Sequence, residues 1–564
     1  MDHRRPDGEV HRDPGNVVVV GAGPAGCTSA LLLADAGIPV TLLERRPGPH
    51  PLPRAVHLDD EVTRTLHRIG VSEDFLARSR PGSGLRLLDA RHRVMAEFRR
   101  EPGVGRHGFP QANMFHQPDL EDLLFVRVES HPLIEFRRGV EVVGMDGALD
   151  PFTAAPVRVH ARAVGTVDAH DVETYTGRLV LGCDGASSAV RELVGVTLED
   201  LGFTERWLVV DIRTDRDLDT WDGVEQVCDP ARAATFMQVT GDSCRWEFQL
   251  HDGEDEADLI GPQALGRLLE PWTGSRSLDG LEIVRSATYT FRARIASRFS
   301  VGRVFLLGDA AHLTPPFIGQ GLAAGLRDSD NLAWKIAHVL HGRARPSLLD
   351  SYETERRPHA TALVRKAVMV GWAMTGGQDR AALVRRMALA VACRSKTLGD
   401  LMANPVTPRL RAGALQEVPR GARIPRELRV GGLIGNPLVS VGTAAPVRLD
   451  DVLQERTAVL TARRPDPGLV EDCRRNGLLL VRVGSGPGRS EEALENGAAD
   501  GGEWLEARLT TARHSGLESL LDNGSLAVLV RPDRVVAAVE PSGRSLRVPW
   551  SLRLTECGGP ETAP

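Results

Sequence analysis

The sequence predicts an α/β protein in which a parallel-sheet dinucleotide-binding domain is interrupted by an antiparallel sheet and followed by an α/β tail. Three observations carry this. A buried strand, a glycine turn, a helix, a second strand and an acid follow one another over Val17–Glu44. Hydrophobicity changes to short alternating runs between about Phe203 and Tyr289. A Pro/Arg-rich stretch, residues 403–432, separates the body from a region where apolar runs resume near Leu433. At 564 residues the chain has room for two or three cores. The resulting division is a first dinucleotide-domain part (1–202), an inserted substrate-facing sheet (203–290), a second dinucleotide-domain part with long helices (291–402), a linker (403–432) and a tail (433–564).

The opening segment, VVVVGAGPAGCTSALLLADAGIPVTLLE, has the order that a dinucleotide requires. Gly21 permits the tight turn, Gly23 lets backbone N–H groups approach a pyrophosphate, and Gly26 lets the helix pack closely on the sheet. Ala22, Pro24 and Ala25 complete the turn and open the helix, whose positive end faces the phosphates. Glu44, ending the second strand, is placed to accept from a ribose hydroxyl. This is a Rossmann-like unit for an ADP-containing cofactor. Downstream, Ala55–Leu76 and Gln117–Val128, the latter with Pro118 at its start, read as helices packed on the sheet. The segment LVLGCDGASSAVR again ends a buried strand in Gly, placing Asp184 and Gly185 before a turn where Ser187 or Ser188 can cap a helix.

The runs WLVVDIRT, EQVCD, ATFMQV, CRWEFQL and EIVRSATYTF then read as antiparallel strands. A third glycine segment, RVFLLGDAAHLTPPFIGQGLAAGLRD, leads from an apolar strand through Gly308-Asp309 and a Gly-Gln-Gly loop into a helix. Asp309 can accept hydrogen bonds from a polyol, and the helix starting near Leu322 turns unpaired N–H groups toward whatever lies over Gly319–Gly321. A reduced flavin, negative at N1 and O2, suits that position. Long helices follow over Leu322–Leu340 and Ser347–Met374. The tail has a glycine loop of its own at 484–489, but Arg489 replaces the third glycine and no spaced acid follows, so it does not read as a second dinucleotide site.

GAGPAG with Glu44-Arg45, then Pro53-Arg54-Ala55, Asp184-Gly185 and GDAAH with GQG, in that order, resemble the single-component FAD-dependent aromatic hydroxylases of the para-hydroxybenzoate hydroxylase type. The sequence is most similar to meta-hydroxyphenylpropionate hydroxylases and their relatives in phenol, resorcinol and polyketide metabolism. PRAVHLDDEVTRTLHRIGV, WLVVDI and GQGLAAGLRDSDNLAWKI carry that likeness, and RPDRVVAAV extends it nearly to the end. The resemblance implies that Gly21, Gly23, Gly26 and Glu44 hold the ADP half of FAD and that Arg45 and Arg54 lie along it. It places Gln117 at the ribityl-pyrophosphate region, Asp309 on the ribityl chain, and Gly319, Gly321, Leu322 and Ala323 beside the isoalloxazine. Gly308, Pro316 and Val140 complete this set, and Asp184 with Gly185 would serve both FAD and the transient approach of NADH or NADPH. Many relatives read Gly-Met-Asn after the glutamine, whereas here Gly321 precedes Leu322-Ala323-Ala324, so one side-chain contact is missing while backbone donors remain. The tail resembles the thioredoxin-like domain that closes many relatives, without a CxxC.

The reaction so implied reduces FAD with NAD(P)H, adds O2 to give a flavin C4a-hydroperoxide, and transfers its distal OH to an electron-rich aromatic carbon. Deprotonating a phenol activates its ortho and para carbons, so a base near the substrate is expected. His57, Asp211, Tyr289 and His116 are candidates by segment, although each reads more readily as a satisfied buried polar group or a surface residue. His312 reads as a loop-fixing hydrogen bonder. Met237, Trp246, Phe248, Pro315 and Phe317 are candidates for an aromatic-substrate pocket, or ordinary core. A Baeyer–Villiger or antibiotic-inactivating monooxygenase shares every cofactor motif, and a flavin-binding drug-sequestering protein is the alternative without turnover. A flavin halogenase is disfavoured by the lack of a WxWxIP-like segment.

A net charge of -6, with no basic tract interleaved with aromatics, gives no support for a nucleic-acid partner. The seven cysteines show neither CxxC nor metal spacing, so no metal and no disulfide framework are expected, and a cytoplasmic setting fits. The first apolar run is too short for a membrane span. A homo-oligomer is compatible with the sequence, which contains nothing that sets its size.

Overall fold

The computed structural model describes residues 15–48, 55–149, 155–166, 171–218, 220–229, 231–375, 407–411, 413, 415–417, 424–442, 444–485, 504–510, 516–522, 526–541 and 548. Arg54, residues 1–14, the loop 486–489, Cys557 and much of 403–432 lie outside the described residues. The four valines of Val17–Val20 are fully buried because they form a middle strand of a six-stranded sheet covered on both faces. Its order is Ser300–Val301, Val304–Leu306, Leu179–Gly182, Val17–Val20, Val40–Glu44 and Ile134–Arg138. All but the first are parallel. The helices Pro24–Asp35 and Gly321–Leu340 pack together closely enough for Ser29 Oγ to donate to Ser329 Oγ at 2.8 Å. The glycine segments therefore all leave carboxyl ends of adjacent parallel strands, where ligands of open α/β sheets bind.

Across this face stands an eight-stranded sheet built on two long antiparallel strands, Leu198–Arg213 and Glu282–Ala296. It extends through Ser243–Leu250, Ala234–Gln238 and Val224–Val227, then takes in Gly84–Leu88 and Val94–Arg99 from far upstream. The sheet thus reaches beyond the 203–290 span that alternation suggests, and residues between its strands form the helices Glu256–Ile260 and Pro262–Thr273. Leu265, Leu269 and Trp272 of the second helix cover one face of the sheet, meeting Phe236, Trp246 and Phe248. A correction applies upstream, because Ala55–Leu76 is not one helix. His57–Asp59 is a strand, Asp59 caps the helix Asp60–Arg68 by accepting from the Val62 N–H at 3.0 Å, and Gly70 (φ +76°) separates it from Ser72–Arg78.

The tail forms a seven-stranded mixed sheet in the order Val447–Arg448, Leu438–Val441, Leu505–Leu509, Leu479–Ser485, Ala458–Thr461, Leu526–Val530 and Val536–Pro541. It docks through buried charges. Asp450 accepts from Arg64 Nη2 at 2.6 Å and from Arg534 Nε at 2.8 Å, and Glu355 of the helix Asp350–Thr375 meets Arg531 and Lys335. Burial pushes the Lys335 ammonium down to about 8, with Glu355 opposing. Cys473 is buried at the same junction, and burial pushes its thiol up to about 12. Among the described residues no helix is long and apolar enough to cross a membrane.

Candidate active site

One cavity of about 820 Å³ runs from the carboxyl ends of the parallel strands to the uncovered face of the eight-stranded sheet. At its first end Gly21 adopts φ +97°, and a Cβ there would lie 2.5 Å from the Cys183 carbonyl oxygen. A Cβ on Gly26 would sit 1.8 Å from the Gly21 oxygen, so this glycine holds the helix against the turn and does not itself line the cavity. A Cβ on Gly23 would meet nothing within 4 Å, because it would point into the cavity. Glu44 is held at the turn, accepting from the Ala22 N–H at 2.7 Å and the Arg46 N–H at 2.8 Å. Ala22, Pro24, Ala25 and Arg45 line this end, and Val140 joins them across it.

The other segments close around the middle. Gln117 accepts from the Ala55 N–H at 2.7 Å and donates to Glu121 at 2.6 Å, fixing the chain that leads to His57. Asp184 accepts from Ser188 Oγ at 2.5 Å and from the Val190 N–H at 3.0 Å, and burial pushes its carboxyl up. It shapes the turn while Gly185 borders the cavity. Gly308 and Asp309 lie beside them, anchored by Asp328, which accepts from the Gly308 N–H at 3.0 Å and pairs with His312 at 2.7 Å and Arg356 at 2.8 Å. His312 is fully buried, the loop-fixing role expected of it. Gly319, Gly321 and Leu322 then present the start of the helix Gly321–Leu340 to the cavity, with no acid in its first turn and no side-chain cap. Its unpaired N–H groups and positive end make an anion site.

At the far end Met237, Tyr289, Pro316, Phe317 and His57 line the cavity. Six residues stand elsewhere than the sequence suggests. Trp246 and Phe248 lie behind the sheet in the aromatic cluster, because strand alternation turns Arg245 and Glu247 to the cavity instead. Asp211 does not line the cavity; it is clamped by Arg245 Nε at 2.7 Å and Arg285 Nη2 at 2.7 Å. Pro315 is buried where it precedes the short turn Pro316–Ile318, and Ala323 is fully buried because the helix turns it into the core. His116 stands at a surface, 3.3 Å from Asp119. The sequence reading missed Arg245, Glu247, Gln226, Thr235, Arg100, Arg292 and Lys366, all on the cavity wall. The available signal was a charged pair inside the otherwise apolar run CRWEFQL.

A glycine-lined dinucleotide cradle opening onto a ring-sized pocket defines a flavoprotein-type enzyme acting on a small molecule. The comparisons agree. The model of the family described as FAD binding domain matches residues 15–367. A 3-(3-hydroxy-phenyl)propionate/3-hydroxycinnamic acid hydroxylase of Burkholderia vietnamiensis is 33% identical over 556 residues, covering 94% of each chain. A probable NADH-specific resorcinol 4-hydroxylase of Rhodococcus jostii is 35% identical over 383 residues, covering 67% of this chain and 69% of that one. The flavin-dependent monooxygenase PieE, solved with FAD and substrate, has the same fold at a TM-score of 0.76 and 23% identity, covering 95% of this chain and 97% of that one. The chain belongs to the FAD-binding-domain family of flavin-dependent aromatic hydroxylases. It is a monooxygenase that uses FAD and a nicotinamide donor.

The open cradle at Gly23 and the uncapped helix start at Gly321 fit FAD. When bound, FAD supplies the reaction with dioxygen, and the protein supplies position, charge and exclusion of water.

Proposed function

We propose that the chain hydroxylates a small phenol that also carries an anionic arm. The observation that carries this is the set of cations at the ring end. Arg100, Arg292 and Lys366 line the cavity, and among the described residues none of them is within ion-pair distance of a carboxylate. Burial pushes the Lys366 ammonium and the Arg100 guanidinium down, Asp59 and Asp60 opposing at the latter, so an anion entering here relieves a desolvated charge. The substrates named for the Burkholderia relative each join a ring hydroxyl to a carboxylate, which supports the same reading.

In this proposal Gly21 through Ala25, Glu44, Arg45, Gln117, Asp184, Gly185, Gly308, Asp309 and Gly319 through Leu322 contact FAD, with Gly26 supporting the turn. The sheet bearing Val209, Thr235 and Met237 faces the substrate, and the tail is a thioredoxin-like domain without redox chemistry. The five described cysteines are buried and free, which supports a reducing compartment. The test is NAD(P)H consumption by the FAD-loaded enzyme with 3-(3-hydroxyphenyl)propionate, its methyl ester and resorcinol, using isotopic O2. Stimulation by the acid above the ester, with one labelled oxygen in a dihydroxylated product, is expected. Equal stimulation by acid and ester would remove the anionic arm from the reading, and a labelled ring-expanded ester would replace hydroxylation by Baeyer–Villiger chemistry.

A further inference from the structure

Four groups at or beside the ring end could take a phenolic proton, and geometry separates them. Asp211 is already held by two guanidiniums. The Tyr289 hydroxyl accepts from Arg285 Nη1 at 2.9 Å, and its ring stacks on Phe291 at 6.2 Å. His57 has Nε2 3.5 Å from Arg100 Nη2, and burial together with that guanidinium pushes the imidazole down to about 4. The guanidinium facing Nε2 opposes a second positive charge, so this nitrogen is badly placed to take a proton.

Glu247 differs from all three. It lies mid-strand in Ser243–Leu250, opposite Val209 on one side and Thr235 on the other, and both of these line the cavity. Its parity is enforced from behind, since Cys244, Trp246, Phe248 and Leu250 fill the covered face against the helix Pro262–Thr273. Its carboxylate makes no hydrogen bond and no ion pair among the described residues, although Arg245 shares its face and is tied to Asp211. Burial pushes the Glu247 carboxyl up, with Arg245 opposing, Asp211 reinforcing and Arg285 opposing. The other charged or titratable groups on the cavity wall at this end are Arg100, Arg292, Lys366, His57 and Tyr289. A carboxylate with spare acceptor capacity, facing an apolar and cationic pocket, is oriented for a hydroxyl proton.

Resting on the reading that the substrate is a phenol, we propose that Glu247 is the catalytic residue that accepts the proton of its ring hydroxyl. The phenolic O–H bond breaks, its electron pair stays on oxygen, and a new O–H bond forms on the Glu247 carboxylate. Arg245, held in place by Asp211, stabilises the phenolate oxygen. The carbons ortho and para to that oxygen become more nucleophilic, as hydroxylation requires.

The test compares FAD-loaded wild type, Glu247→Gln and Glu247→Asp on 3-(3-hydroxyphenyl)propionate and on a ring-fluorinated analogue whose hydroxyl is already ionised at the assay pH. Glu247→Gln is expected to lower kcat/KM for the parent phenol by about 10²–10⁴-fold and to erase the acidic limb of its pH profile. For the ionised analogue the loss shrinks to less than about 10-fold, and Glu247→Asp falls between. Calorimetry in two buffers adds a readout apart from turnover. Binding the ionised analogue makes wild type take up about one proton, on Glu247, whereas Glu247→Gln takes up none. Equal losses on both phenols, or proton uptake unchanged in Glu247→Gln, would overturn the assignment. If wild type instead turns over only resorcinol, the anionic-arm reading fails, and the kinetic comparison run with resorcinol and its fluorinated analogue decides the role of Glu247 separately.

Discussion

Replacing Gly23 and Gly26 separately by alanine distinguishes a glycine kept for the cofactor from one kept for the fold. Gly23 has φ -67° and ψ 175°, which alanine adopts freely, and its added Cβ meets no protein atom within 4 Å. The apoprotein should keep its stability or gain about 0.4–1 kcal/mol through a less flexible unfolded chain. FAD should bind more weakly by about 1–3 kcal/mol, the usual cost of forcing a methyl group into a filled site. Gly26 reverses the pattern, since its Cβ would lie 1.8 Å from the Gly21 oxygen and backbone must move. Its apoprotein should lose about 1–3 kcal/mol or more. Thermal unfolding of both apoproteins, with FAD binding followed by flavin fluorescence, checks the pair. A Gly23→Ala enzyme that binds FAD as wild type does would refute the placement of the pyrophosphate.

Asp309→Ala should weaken FAD retention by roughly 1.5–3 kcal/mol, the value of a charged hydrogen bond, read as flavin lost on gel filtration. Asp450→Ala strands the Arg64 and Arg534 guanidiniums, and calorimetry should show a separate tail transition and a loss of about 3–5 kcal/mol; an unaltered melting profile would mean the charges are solvated. Asp60 is pushed up to about 8, mainly by burial, with Asp59 and Glu61 adding to it. Its folded pKa exceeds its unfolded one, so the contribution of Asp60 to stability is fully present below its unfolded pKa and declines as pH rises toward 8, by on the order of 1 kcal/mol per pH unit. Asp60→Asn should remove that slope in denaturant titrations at several pH values. Cys473→Ser should leave turnover near wild type while lowering stability by about 1–3 kcal/mol for a buried hydroxyl, and a large loss of activity without unfolding would give the tail a catalytic part.

The cofactor half was readable because its chemistry sits in backbone turns, where glycine and an acid at fixed spacing leave few alternatives. Gly21, Gly23, Glu44, Gly308 and Asp309 border the cavity for that reason. The substrate half was harder because both faces of CRWEFQL are enclosed. Alternation says that Trp246 and Glu247 point opposite ways, but not which face a helix covers, and aromatic residues suggested the wrong one. Gly84–Leu88 joins the sheet through Val224–Val227, more than a hundred residues downstream, and Val94–Arg99 joins only through its hairpin with Gly84–Leu88, so local alternation does not reveal their membership. Nothing in the local sequence around Asp211 shows that it is clamped, because its two guanidinium partners come from other strands.

Among the described residues the cavity is continuous from Glu44 to Lys366, with no partition between its two ends. A ring seated against Gly319–Leu322 would supply the missing partition, so the substrate's chamber has four walls only after the cofactor arrives. Order of assembly follows from architecture alone: the cofactor is part of the room before it is part of the reaction. Screens for ligands on the bare protein would then sample a corridor rather than a room, and molecules found that way should compete with FAD instead of with the phenol.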